Sequence, residues 1–168
     1  MEIKKLQANS NSYGAKRDKN NVKYIVIHYT AGNGDTAENE AKYFKNSNTR
    51  SAGAHFFVDQ KGEIYKSVPM NLTAWSVGGF FTQKDGAGSL YKKCTNSNSV
   101  SIELCDNLYK DPSAAQINAV KFLIKHIKKN CPNATEIVRH WDVNGKACPL
   151  RMAGKNNKKW TDFKIKIA

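Results

Sequence analysis

The segment VKYIVIHY, residues 22–29, constrains the fold more than any other part of the chain. It is rich in β-branched and aromatic residues, and its apolar character is nearly continuous rather than alternating. Such a run predicts a strand buried on both faces, and therefore a sheet with helices packed on each side. It stops at Thr30-Ala31-Gly32-Asn33-Gly34, a loop signal.

The remaining elements fit around that strand. Asp35, with Glu38 reaching back, reads as an acidic capping pair opening a helix that ends near Asn46 and buries Ala37, Ala41 and Phe44. Residues 55–58 and 63–68 flank Asp59-Gln60-Lys61-Gly62 and predict a β-hairpin. Residues 100–105, VSIELC, alternate as a strand: Val100, Ile102 and Leu104 share one face, Ser101, Glu103 and Cys105 the other. Ser113 with Gln116 predicts a helix start. Ile117, Val120, Leu123, Ile124 and Ile127 form that helix's buried stripe, and Cys131-Pro132 closes it. Residues 136–139 predict a short strand, and Trp160, Phe163 and Ile167 a final helix. Residues 6–20 read as an irregular arm, and residues 71–98 as a long loop walling a groove. The expectation is an α/β fold, a mixed central sheet flanked by helices, with residues 1–168 forming one domain and residues 1–20 an N-terminal arm.

Bulk properties narrow the function. With 168 residues, 40% of them hydrophobic, the chain suits one sizeable core. No apolar run approaches the roughly 20 residues needed to span a bilayer, and the N-terminus lacks a signal peptide's apolar stretch. Stable membrane insertion is therefore not expected. The 27 basic and 14 acidic residues give a net charge of +13, which favours an anionic partner. The lysines are scattered, without an arginine-rich arm, so nucleic acid is not the expected partner. Cys94, Cys105, Cys131 and Cys148 are widely spaced and read as reduced thiols.

The chemistry concentrates at strand ends. His28 ends the central strand, where open α/β sheets place their sites. His140 follows the strand at 136–139, and Cys148 comes eight residues later in RHWDVNGKACP. Two imidazoles and a thiolate fill three vertices of a zinc tetrahedron and leave one for water, the pattern of a catalytic rather than a structural site. The same residues also read as buried structural histidines and a small apolar cysteine; spacing alone does not choose. His126 reads as a solvated surface residue. His55 reads either as a structural hydrogen-bonder or as a groove residue.

The motifs IVIHYTAG, SAGAHFFVDQKGEIYKSVP, AWSVGG, NSNSVSIELCDN and VRHWDVNGKACP occur in one order from about Tyr24 to Met152. In that order they resemble the zinc-dependent N-acetylmuramoyl-L-alanine amidases of the amidase-2 type. These include phage endolysins and muropeptide-recycling amidases, and they share a fold with peptidoglycan recognition proteins. The resemblance implies that His28, His140 and Cys148 hold Zn2+, that Glu103 and Lys146 are catalytic, and that His55, Trp75 and Ser76 contact substrate. It implies an enzyme that cleaves the amide between N-acetylmuramic acid and L-alanine of the peptidoglycan stem. The implied partner is the cell wall, and the positive charge fits attraction to its anionic teichoic acids; the implied route is release through a membrane pore. A non-catalytic peptidoglycan-binding module and a cytosolic recycling amidase are the alternatives. Two positions depart from the family pattern. Ala54 stands where several members have tyrosine before the hairpin histidine, and Ser76 where many have histidine.

Overall fold

The computed structural model describes residues 1–79 and 81–168. Eight strands and four helices follow one another as β1 (Lys4–Lys5), β2 (Tyr13–Lys16), β3 (Tyr24–Tyr29), α1 (Ala37–Asn46), β4 (Phe56–Val58), β5 (Ile64–Lys66), β6 (Leu72–Ala74), β7 (Ser99–Leu104), α2 (Ala114–Asn130), β8 (Glu136–Arg139), α3 (His140–Asn144) and α4 (Lys158–Ile167). Six strands form the main sheet in the order β1-β5-β4-β7-β3-β8. All neighbours in it run parallel except the β4–β5 hairpin. The expected mixed α/β architecture is therefore present, with VKYIVIHY as an interior strand.

Side-chain alternation sorts this sheet into two faces. Ile25, Ile27, Phe56, Val100, Ile102 and Leu104 meet Val120, Leu123, Ile124 and Ile127 of α2 and Trp160, Phe163 and Ile167 of α4. On the other face Ala37 and Ala41 of α1 pack with Phe57, Tyr65 and Cys105. The helix α2 begins as its sequence requires: the Ser113 side chain accepts from the Gln116 N–H. The four cysteines are free and buried.

Several expectations are corrected. Thr36, not Asp35, caps α1, with its hydroxyl accepting from the Asn39 N–H. The Asp35 carboxylate is already engaged by the Thr30 hydroxyl at 2.6 Å and the Asp106 N–H at 2.7 Å, where it ties the β3–α1 loop to the end of β7. The N-terminal arm is not irregular: Lys4–Lys5 adds a parallel edge strand to β5, and Tyr13–Lys16 pairs antiparallel with β6 in a second sheet. That pairing also gives the expected 71–98 loop a strand at its start. Strands of two to four residues carry too little periodicity to stand out in a sequence. Phe80, within that loop, lies outside the described residues. His126 is half-buried, its ring edge-on to Phe56 at 6.3 Å.

Candidate metal centre and groove

Strand register builds the site. On β3 and β7, His28 is the direct partner of Glu103. On β3 and β8, Ile27 is the partner of Arg139, so the residue after β8, His140, arrives beside His28. Parallel strands thus deliver three polar side chains to one end of the sheet, the carboxyl end where α/β folds place their sites. The two imidazole centroids are 4.7 Å apart. The Cys148 Sγ lies 3.8 Å from His28 Nδ1. One ligand atom from each of His28, His140 and Cys148 falls within 4.8 Å of the others.

The hardware behind these ligands is rigid. The guanidinium of Arg139 sits 4.3 Å from the Trp141 ring centroid and 5.2 Å from that of Trp160. It forks onto both carboxylate oxygens of Asp142 and donates to the carbonyls of Met152 and Gly154. This clamps the start of α3, and hence His140. Gly145 ends α3 at φ 84°, and a Cβ there would run into the Thr82 carbonyl. Asn144 then bridges the turn, donating to the Gly78 carbonyl and accepting from the Lys146 N–H. The Trp141 N–H donates to the Cys148 carbonyl, and the Cys148–Pro149 bond is cis.

The residues fit a zinc ion on their own chemistry. His28, His140 and Cys148 are 2%, 3% and 2% exposed. His28 Nε2 and both ring nitrogens of His140 are buried without a hydrogen-bond partner among the described residues, which native interiors avoid unless something else fills the role. Burial, then His140 and Lys146, hold His28 well below the usual histidine range. Burial, then Lys146, brings His140 down to about 4. Both rings are therefore neutral near pH 7, the form that binds metals. Burial, then Glu103, pushes the Cys148 thiol up, so the cation itself must draw off that proton.

Glu103 is the fourth polar group at the centre. Its Oε1 lies 3.9 Å from His28 Nδ1, and its Oε2 is buried without a partner. Burial raises its carboxyl to about 8 against the opposing pull of Lys146. Glu103 is thus not the solvent-facing glutamate that strand alternation also permits.

A cavity of about 300 Å³ opens over these groups, lined by His28, Glu103, His140 and Cys148, by exposed Lys146, and by Trp75 and Ser76. A second hollow of about 440 Å³ continues past Trp75 and Ser76 to Gly78, Gly79 and Asn96. The Asn96 side-chain carbonyl accepts the N–H groups of Ser76 and Val77, which fixes this wall. Trp75 packs close over Gly14, where a Cβ would strike the ring, so β2 forms the backing of the groove wall.

The structure brings together every sequence-predicted site residue except His55. That side chain is fully buried and lines neither hollow. Its Nδ1 meets the Ser101 N–H and hydroxyl, and its Nε2 lies 3.2 Å from the Leu72 carbonyl and 2.9 Å from the Arg17 guanidinium. The expectation of a substrate contact gives way to a structural one. Burial, then the Arg17 guanidinium 2.9 Å away, brings His55 down to about 3. Sequence reasoning missed Glu40, Tyr43 and Arg50, which also line the first cavity. Glu40 and Tyr43 stand at i and i+3 beside Phe44 on α1, so the helical spacing held that signal.

The family described as N-acetylmuramoyl-L-alanine amidase (Amidase_2) matches residues 18–151. The chain belongs to this family. Over 155 residues it is 33% identical to the N-acetylmuramoyl-L-alanine amidase BlyA of Bacillus subtilis (strain 168), covering 87% of this chain and 41% of BlyA. CwlA of the same strain, also named an N-acetylmuramoyl-L-alanine amidase, is 31% identical over 173 residues, covering 99% of this chain and 57% of CwlA. The chain thus spans about half the length of the curated relatives it matches. Among solved structures, a mutant endolysin from Bacillus subtilis superposes with a TM-score of 0.74 at 31% identity, covering 99% of each chain. The catalytic domain of XlyA gives 0.74 at 29% identity with both chains fully covered. Both neighbours share this fold along the whole chain.

Proposed function

We propose that the chain is a zinc-dependent peptidoglycan hydrolase of the endolysin kind. It cleaves the amide between the lactyl carbonyl of N-acetylmuramic acid and the first L-alanine of the stem peptide. The observation that carries this reading is the meeting, in one groove, of three metal-type ligands with the partnerless carboxyl oxygen of Glu103. The named relatives, all N-acetylmuramoyl-L-alanine amidases, and the endolysin neighbours support the same bond and the same polymer.

His28, His140 and Cys148 hold the ion. Bound there, zinc supplies Lewis acidity at the scissile carbonyl and brings the acidity of water toward neutrality. The remaining steps belong to the chain. The charge of a bound ion would offset the burial that raises the Glu103 carboxyl, and the ionised Glu103 takes the proton of the attacking water and passes it to the nitrogen of the departing alanine. Lys146, exposed at the rim beside the ligands, offers its ammonium to the oxyanion of the tetrahedral intermediate. Trp75 presents an aromatic wall to sugar or peptide, and the Ser76 hydroxyl, which has no protein partner, offers a polar contact. Action on the wall follows release of the protein to it through a membrane pore. Among the described residues no helix is long and apolar enough to cross a membrane.

The test is mass spectrometry of purified walls after digestion. Free lactyl carboxyl groups with matching new L-alanine N-termini are expected. Binding without cleavage would make the chain a recognition module. Cleavage of small anhydromuropeptides with no effect on intact walls would make it a recycling enzyme.

A further inference from the structure

A row of paired residues crosses the helix-covered face of the main sheet. Lys5 pairs with Lys66, Lys66 with Phe56, Phe56 with Ile102, and Ile102 with Ile27. Directly paired residues project to the same side of a sheet. The row therefore starts at the sheet edge with two lysines and runs on into the core. Helix α2 lies over it, with His126 edge-on to Phe56 and Lys129 one turn beyond. Lys125 and Lys129 are i,i+4 neighbours on the exposed side of α2. Across its 17 residues α2 carries Lys121, Lys125, Lys128 and Lys129 and no acidic residue.

Five lysines elsewhere have a carboxylate partner, whereas most lysines, those of this cluster included, have none among the described residues. Lys4 pairs with Glu63, Lys42 with Glu38, Lys110 with Asp106, Lys158 with Asp162 and Lys159 with Asp111. Among the described residues, Lys5, Lys66, Lys125 and Lys129 make no ion pair. Burial, then Lys5, lowers the Lys66 ammonium from its usual range. Burial, then Lys66 and Lys129, lowers the His126 imidazole. Like charges are thus held together with no counter-charge, and a bound anion would relieve them. The cluster also lies behind the sheet from the groove. His28 and Glu103 alternate with Ile27 and Ile102 along β3 and β7 and so project to the opposite face.

We propose that the surface formed by Lys5, Lys66, Lys125 and Lys129 binds an anionic phosphodiester polymer of the bacterial wall, leaving the groove free for the glycan–peptide. The choice of a wall polymer rests on the function proposed above; the existence of an anion-binding surface does not. None of the exposed large apolar side chains belongs to the cluster. It therefore lacks the aromatic platform on which single-stranded nucleic acids stack their bases. A poly(polyol phosphate) has no bases and requires only spaced cations.

The test compares three forms of the whole chain: wild type, a Lys5→Gln/Lys66→Gln/Lys125→Gln/Lys129→Gln variant, and a control neutralised at Lys19, Lys45, Lys92 and Lys93. Binding of poly(glycerol phosphate) is titrated as a function of salt. By analogy with phosphate contacts on nucleic acids, the four-site variant should lose about 3 from the slope of log K against log salt. It should also lose about tenfold or more in affinity, whereas the control should lose far less. A Lys125→Gln/Lys129→Gln variant, altered only on the exposed helix face, should show about half the change in slope and replaces the four-site variant if that one does not fold. Hydrolysis of a soluble muramoyl peptide should be unchanged in all variants. Equal losses in control and cluster variants would overturn the proposal in favour of net charge alone. Tenfold tighter binding of single-stranded DNA at the same salt would overturn it in favour of nucleic acid. If wild type bound the polymer through the cluster but failed to cut the muramoyl peptide, the amidase reading would fall and the anion surface would stand.

Discussion

His28 and Glu103 are register partners on adjacent parallel strands, with Nδ1 and Oε1 3.9 Å apart. One strand position therefore sets a metal-type imidazole beside a largely buried carboxyl, and no loop need move to bring them together. Removing the carboxylate alone should separate their tasks. Glu103→Gln should retain stoichiometric zinc while kcat on wall substrate falls about 100- to 10,000-fold. Metal analysis and turnover on the same preparation check this; near-normal kcat would take Glu103 out of the mechanism.

Cys148 completes the candidate metal-binding set from a loop. Cys148→Ala should leave the two imidazoles unable to hold the ion, with zinc content and hydrolysis lost together. Because ligand binding adds to folding stability, chelation should lower the Tm of wild type and leave that of the variant unmoved. Full zinc occupancy in the variant would exclude the sulfur as a ligand.

Arg139 fixes the approach of His140 from behind. Replacing it by Met keeps the stacked bulk between Trp141 and Trp160 but strands the Asp142 carboxylate and two carbonyls. A loss of about 3–5 kcal/mol in unfolding free energy is expected for breaking such a buried pair. Zinc affinity should fall about 10- to 100-fold, as for groups that orient ligands in other metal sites. Denaturant unfolding and competitive metal titration read the two effects separately.

His55 provides a pH signature away from the metal. Its folded value is brought down to about 3, and an unfolded histidine titrates near 6.5. Between those values the unfolded chain binds the extra proton. The stability due to the neutral ring is thus fully present above about 6.5 and is lost as pH falls toward 3. The slope is about 1.4 kcal/mol per pH unit for one proton. Comparing wild type with His55→Gln from pH 6.5 to 4.5 in chelator should show a shallower decline in the variant by about that slope. Parallel curves would mean that His55 is protonated in the native state.

Gly145 tests the turn that delivers Lys146. Gly145→Ala must place a Cβ at φ 84° against the Thr82 carbonyl. The expected cost is about 1–3 kcal/mol of stability. A fall in kcat larger than any rise in KM is also expected, because Lys146 is displaced while the Trp75 wall is not. An unchanged kcat would detach this turn from catalysis.

What the sequence disclosed, and what it withheld, follows from periodicity and register. The strand 22–29 and the helix from Ser113 announce themselves because long apolar patterns and a side-chain cap are local signals. Alternation in VSIELC correctly separates Glu103 from the Ile102 face. His55, at the start of a hairpin strand, reads from sequence either as a structural hydrogen-bonder or as a groove residue. Nothing local told that Ser101, 46 residues away, would claim its ring. Likewise β1, β2 and β6 are too short to show a pattern, and they exist because distant partners complete their hydrogen bonds. Arg17 reads as one basic residue among many. Only folding buries it against the carbonyls of Met70, Asn96 and Ser99.

The two ligands that approach to 3.8 Å, His28 and Cys148, are separated by 120 positions along the polypeptide. During translation the first emerges long before the second exists. A nascent chain that has completed β3 and β7 but not β8 therefore carries no assembled hydrolytic centre. It also exposes the edge of β3 that β8 later covers, an open hydrogen-bonding margin that invites association with other unfinished chains. Protection from aggregation thus arrives when the last strand of the main sheet docks, and the full set of side chains only afterwards, when the segment beyond α3 brings Cys148 to His28.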